Sequence, residues 1–210
     1  MSPRRVAAAL AGVAALAAAG CASDGPEPTT PTIFEVTVPG SGRVPEVATA
    51  FSVSRNRAIT VAHAVGNHRT VLVAAPGERA RPARVLRTDA RLDVALLDVA
   101  GPRLPVFNSQ QVDEGLYGWV LVLRGDRRVV LHAQLLRRIT ARVRDAPDAV
   151  AQVRPALELR TEVMQGDSGA PVLDLNGRVI GMVFAQAADR ADRAYALDAS
   201  AFDAGYVVGP

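Results

Sequence analysis

The chain has 210 residues, 49% of them apolar and only 4% aromatic, so it can bury one domain, or two small ones sharing a core, built on Val, Leu, Ile and Ala. Its net charge of +3 comes entirely from Arg over acidic residues, and the first twenty residues hold two of those Arg and no acid. The remainder is close to neutral, which argues against a nucleic-acid partner. A single cysteine excludes an intrachain disulfide, and three scattered histidines offer no metal-ligand spacing. Neither a metal nor another cofactor is expected.

Residues 1–20 read as an export signal: Arg4 and Arg5, then an unbroken small and apolar run from 6 to 19, then Ala18-Ala19-Gly20 as a cleavage site. The run is shorter than the roughly 20 residues that a membrane-spanning helix needs. Cys21 follows directly, and Ala-Gly-Cys resembles the lipobox of bacterial lipoproteins, which implies lipid attachment at Cys21. Residues 23–31 (SDGPEPTTP) lack apolar side chains and read as an extended tether; 21–45 is expected to be anchor and linker, with folded structure beginning between Ile33 and Val47.

From residue 46 the apolar pattern is short and strand-like. Runs at 47–53, 57–62, 70–74, 83–89 and 94–99 form one group, and runs at 118–123, 129–139, 157–163, 171–173, 179–185 and 195–197 form another. Asp126-Arg127 and Asn176-Gly177 read as hairpin turns, and one short helical segment is expected near 198–203. The polar stretch 108–115 separates the groups. The chain is therefore expected to be all-β, with two antiparallel barrels at about 46–108 and 116–205. A single β-sandwich is the alternative. No repeat is visible at the residue level.

Gln165-Gly166-Asp167-Ser168-Gly169-Ala170-Pro171 can present a nucleophile. Glycines flank the serine, and the backbone N–H groups of Gly166 and Ser168 can converge on an oxyanion. Such a serine needs a histidine base and a buried carboxylate. His63 closes the apolar run 58–62, whereas His68 lies in a polar turn and His132 within a strand of the other half. Asp89, Asp93 and Asp98 are the carboxylate candidates.

Three segments resemble the chymotrypsin/trypsin-like serine proteases. Thr60-Val61-Ala62-His63-Ala64-Val65 is similar to the segment around their base, Asp93-Val94-Ala95-Leu96-Leu97 to that around their acid, and Gly166-Asp167-Ser168-Gly169 with Pro171 to that around their nucleophile. The order His, Asp, Ser is also theirs. The resemblance covers about 45–205 and selects Asp93. Within it, Glu162-Val163-Met164-Gln165 before the nucleophile and Leu173-Asp174-Leu175-Asn176-Gly177 after it look most like the periplasmic protease domain of mycobacterial-type acid-resistance proteases. Those proteins carry cysteines in that domain and several membrane spans before it; this chain has no cysteine pair.

The resemblance implies a triad of Ser168, His63 and Asp93 in a cleft between barrels, with an oxyanion hole at Gly166 and Ser168. It also implies a substrate pocket based on Glu162 and walled by Phe184, Ala185 and Gln186. If Glu162 points inward, a basic residue before the cut is favoured; the alternative has it facing Arg160 or solvent. No zymogen-type junction precedes the domain, so Asp167 is expected to pair with an internal Arg or with backbone amides. The expected activity is that of an exported, lipid-anchored serine endopeptidase acting on proteins of the cell envelope. The competing readings are a catalytically unproductive binding module and an esterase using the same serine.

Overall fold

A computed structural model describes residues 30–38, 46–99, 112–144 and 150–202. The signal-like segment, Cys21 and residues 108–111 of the expected inter-barrel stretch lie outside them.

The described strands form two closed antiparallel barrels of six strands each. The first contains β1 (Ile33–Val38), β2 (Glu46–Ser54), β3 (Arg57–Val61), β4 (Thr70–Ala74), β5 (Arg81–Asp89) and β6 (Val94–Asp98), in the order β1-β2-β3-β6-β5-β4. The second contains β7 (Tyr117–Arg124), β8 (Arg127–Val143), β9 (Gln152–Arg160), β10 (Pro171–Asp174), β11 (Val179–Gln186) and β12 (Arg193–Asp198), in the order β7-β8-β9-β12-β11-β10. Counted from its own first strand, each barrel has the same strand order. The repeat lives in backbone pairing, and many apolar side-chain sets can fill one barrel, so nothing in the residues betrays it.

β1 lies within 21–45 and starts at Ile33, the earliest point at which folded structure was expected. It pairs with β2 along its whole length and with β4 through Glu35, Val36 and Thr37, and so closes the first barrel. The folded domain thus begins before residue 46. Two turns also differ from expectation. The β7–β8 connection is Gly125-Asp126, one residue earlier, with Gly125 at φ 67. Between β10 and β11 the Asp174 carboxylate accepts from the N–H of Asn176 at 2.8 Å and of Arg178 at 2.9 Å, giving a longer loop than a two-residue turn. The expected helical segment is a single 3₁₀ turn, Ala199–Ala201, capped by Asp198.

A closed small barrel must fill its interior with side chains. Phe34, Val36, Ala50, Ala58, Val73 and Leu97, which share one face of the paired strands, do so in the first. The same apolar cluster continues without a break into the second through Leu121, Leu173, Met182, Phe184 and Phe202. This shared core fixes the two barrels against each other, and with them the two halves of any site between.

Among the described residues buried charge is concentrated on the second barrel, in Arg154, Glu158, Asp167, Asp174 and Asp198. Glu158 of β9 lies between Arg137 of β8 and Arg193 of β12. Burial pushes its carboxyl up, but hydrogen bonds and charge from Arg137 and Arg193 outweigh that and hold it below the usual carboxylate range. A carboxyl depressed in the folded state adds stability that is full above its unfolded pKa and is lost as pH falls through the folded value. Glu158→Gln is therefore expected to flatten the acid side of the stability profile. In thermal melts below pH 4.5, the value of the free group, the wild type should lose Tm more steeply than the variant.

Candidate active site

His63 sits on α1 (Ala62–Val65), a four-residue helix that continues directly from β3. Asp93, just before β6, holds both the helix and the ring. Its carbonyl accepts from the N–H of Ala62 at 3.1 Å, its Oδ1 from the N–H of His63 at 2.9 Å, and its Oδ2 lies 2.8 Å from His63 Nδ1. An ionised carboxylate only accepts, so Nδ1 carries the proton and Nε2 offers its lone pair. The His63 side chain is 46% exposed and that of Asp93 only 7%. The imidazole is therefore open to solvent while the carboxylate behind it stays dry. Asp93 adopts φ 61, a left-handed conformation that costs a non-glycine residue about 1 kcal/mol. The surrounding hydrogen bonds hold it there.

The other two carboxylate candidates are engaged elsewhere. Asp89 Oδ1 accepts from the N–H of Leu92 at 3.0 Å, closing the β5–β6 turn. Asp98 pairs with Arg57 and Arg84.

Ser168 occupies the turn between β9 and β10. Gly166 and Gly169 take φ 97 and 90, conformations that a side chain would oppose. Within the turn the N–H groups of Asp167, Gly169 and Ala170 donate to Met164, Val183 and Asp167, whereas those of Gly166 and Ser168 find no acceptor among the described residues. The whole turn is docked on the first barrel. The N–H of Thr49 donates to the Ser168 carbonyl at 2.8 Å, Thr49 Oγ1 to the Gly166 carbonyl at 3.1 Å, and Thr60 Oγ1 to the Thr49 carbonyl at 2.7 Å. Thr60 precedes His63 by three residues on β3. This threonine clasp ties the serine turn to the junction that carries the imidazole.

Residues 48–182 match the model of the trypsin-like peptidase domain. The chain belongs to the trypsin-like peptidase family. The serine protease Rv3671c of Mycobacterium tuberculosis is 35% identical over 164 residues, which cover 72% of this chain and 39% of that protein. The crystal structure of its active form superposes with a TM-score of 0.73 at 30% identity, over 83% of this chain and 79% of the other. A "Probable periplasmic serine endoprotease DegP-like" from Ectopseudomonas mendocina is 29% identical over 125 residues, 59% of this chain and 26% of that one. The chain spans about two fifths of the length of the mycobacterial relative.

In this trypsin-like peptidase Asp167 is buried, and its Oδ2 accepts from Arg124 at 2.9 Å and from the N–H of Met164 at 2.9 Å. An internal arginine and a backbone amide thus hold the carboxylate beside Ser168, as expected from sequence. Arg124, at the end of β7, gave no sequence signal beyond its charge. Arg124→Met leaves the Asp167 charge buried with a single amide partner. The expected result is a loss of about 3 kcal/mol in urea unfolding, with the Ser168 turn loosened before the barrels melt.

The residues expected to form the substrate pocket line two separate grooves. Glu162 is exposed and lies with Arg160, His132 and Asp192 in a groove of about 600 Å³ on the second barrel. Phe184, Ala185 and Gln186 line another, of about 550 Å³, with residues 139–144 of β8 and its extension. Neither groove is lined by His63 or by residues 165–170; Phe184 follows Val183, whose carbonyl accepts from the N–H of Gly169 at 2.7 Å. Phe184 itself is largely buried, its ring stacked on Tyr195 at 6.5 Å. No metal-ligand cluster is found among the described residues.

Proposed function

We propose that this chain is an exported serine endopeptidase of the cell envelope, using Ser168, His63 and Asp93. The observation that carries the reading is the Asp93–His63 pair, tied through Thr60 and Thr49 to the Ser168 turn. His63 Nε2 takes the proton of Ser168 Oγ as that oxygen bonds to the scissile carbonyl carbon. The carbonyl oxygen becomes an oxyanion facing the N–H groups of Gly166 and Ser168. The protonated imidazole then gives its proton to the leaving amine, the acyl-enzyme forms, and water attacks it by the same route in reverse. Asp93 fixes the ring tautomer throughout.

The residues before the cut are proposed to run along Phe184, Ala185 and Gln186, which follow Val183, the β11 residue that accepts from Gly169 of the serine turn. Glu162 lies with Arg160 in a separate groove, so no preference for Arg or Lys before the cut is expected. Export, and anchoring through lipid on Cys21, are proposed from residues 1–21; the periplasmic name of the Ectopseudomonas relative agrees with export.

Fluorophosphonate labelling together with peptide-library cleavage by the full chain tests the proposal. Labelling that disappears in Ser168→Ala, with internal peptide bonds cut, is the expected result. Labelling without peptide cleavage but with turnover of simple esters would favour the esterase, and no labelling at all the binding module.

A further inference from the structure

Arg154 is the largest fully buried side chain among the described residues, and it stands in the second barrel, on β9. It reaches across to the first. Its Nη1 lies 3.2 Å from Asp93 Oδ2, the same oxygen that receives His63 Nδ1, and its guanidinium carbon sits 5.2 Å from the centre of the Phe184 ring. Its side chain has no exposure to solvent. Nε and Nη2 have no hydrogen-bond partner among the described residues.

A buried guanidinium held by one carboxylate contact and a ring face is a poor structural choice. Stripping a cation of water costs several kcal/mol, and an apolar residue of similar volume is often as stable or more so. The charge therefore has a use at the one group it meets. We propose that Arg154 is a positioning residue for the triad: it fixes the Asp93 carboxylate from the opposite barrel and limits how strongly that carboxylate raises the basicity of His63.

Both effects follow from the geometry. Asp93 Oδ2 is shared between a neutral donor and a cation, so part of its field is spent on Arg154. The imidazolium is then stabilised less than by an unpaired aspartate, and His63 stays neutral, and competent as a base, to lower pH. The other charges on strands packed against α1 do not substitute. Asp98 is paired with Arg57 and Arg84, Asp89 closes a turn, Arg87 lines a groove with His68, and Arg81 and Glu46 are exposed at the starts of β5 and β2.

This inference rests on the proposed peptidase reading, and the test separates the two. The pH dependence of kcat/KM on a library-selected peptide, and of the fluorophosphonate inactivation rate, is measured for the wild-type full chain, Arg154→Met and Arg154→Lys. Removing the cation is expected to move the acid limb up by about 0.5–1 pH unit, with KM little changed. Lys, which keeps the charge, should restore most of the wild-type limb. An unmoved limb in Arg154→Met, or an equal shift in Arg154→Lys, overturns the proposal and leaves Arg154 a packing residue. If Arg154→Met does not fold, Arg154→Gln is judged by the same two criteria. A wild-type chain that neither cleaves nor labels defeats the peptidase reading instead.

Discussion

Ser168→Ala is expected to lower kcat/KM for peptide hydrolysis by about 10⁴- to 10⁶-fold while leaving the melting curve almost unchanged. The size follows from the way the triad works. Serine, base and orienting acid act as a unit, so removing either of the first two removes nearly all covalent catalysis. His63→Ala should be comparable, and the double variant no worse than either single one. What remains is the contribution of the Gly166 and Ser168 amides, which Ala at 168 preserves. Stability should move by less than about 0.5 kcal/mol, since Ser168 is only partly buried and its docking contact is its carbonyl, not its hydroxyl. A variant that keeps more than a few per cent of activity at an unchanged Tm would mean that the chemistry resides elsewhere.

Asp93 was legible in the sequence only with help. Three aspartates precede or end apolar runs in the first barrel, and pattern alone does not choose between them; the family resemblance did. The structure supplies the physical reason, because Asp93 is the one whose backbone turns into the left-handed region and brings its carboxylate onto α1. Ser168 stood out because glycines flank it in a tight turn, and His63 because it closes the apolar run 58–62. Strand positions were legible as short apolar runs, and the run 70–74 coincides with β4.

What stayed hidden is contact across the barrels. Thr49 reads as a polar position on a strand, yet it binds two carbonyls of the serine turn more than a hundred residues away. Arg124 and Arg154 are two among 24 arginines, with nothing local to mark one as the partner of Asp167 and the other of Asp93. The start of the fold was legible only to within Ile33–Val47, because a six-residue alternating run beside a Pro- and Thr-rich tether carries little weight until its pairing with β2 and β4 is seen. Periodicity reports which face is buried. It does not report what the face is buried against.

Gly169→Ala is the change expected to damage the site most without touching its chemical groups. A Cβ at this position would stand 1.9 Å from the Thr49 carbonyl oxygen and 2.6 Å from Thr60 Oγ1. The first is backbone and cannot swing aside, so the serine turn must lift from β2 and β3 or the barrels must part. The φ of 90 adds a penalty of about 1–2 kcal/mol, and the overpacking about 1–3. Together they predict a loss near 3 kcal/mol, or roughly 6–12 °C in Tm for a chain of this size. Activity should fall by about 100-fold or more, because a displacement of about 1 Å between nucleophile and base is enough for that. Gly77→Ala separates the two contributions. Gly77 has a similar φ of 74 but nothing within 4 Å of its would-be Cβ, so it should carry only the backbone penalty and leave activity intact. Equal melting shifts in the two variants, with Gly169→Ala still active, would show that close docking on Thr49 and Thr60 is not what holds the nucleophile opposite its base.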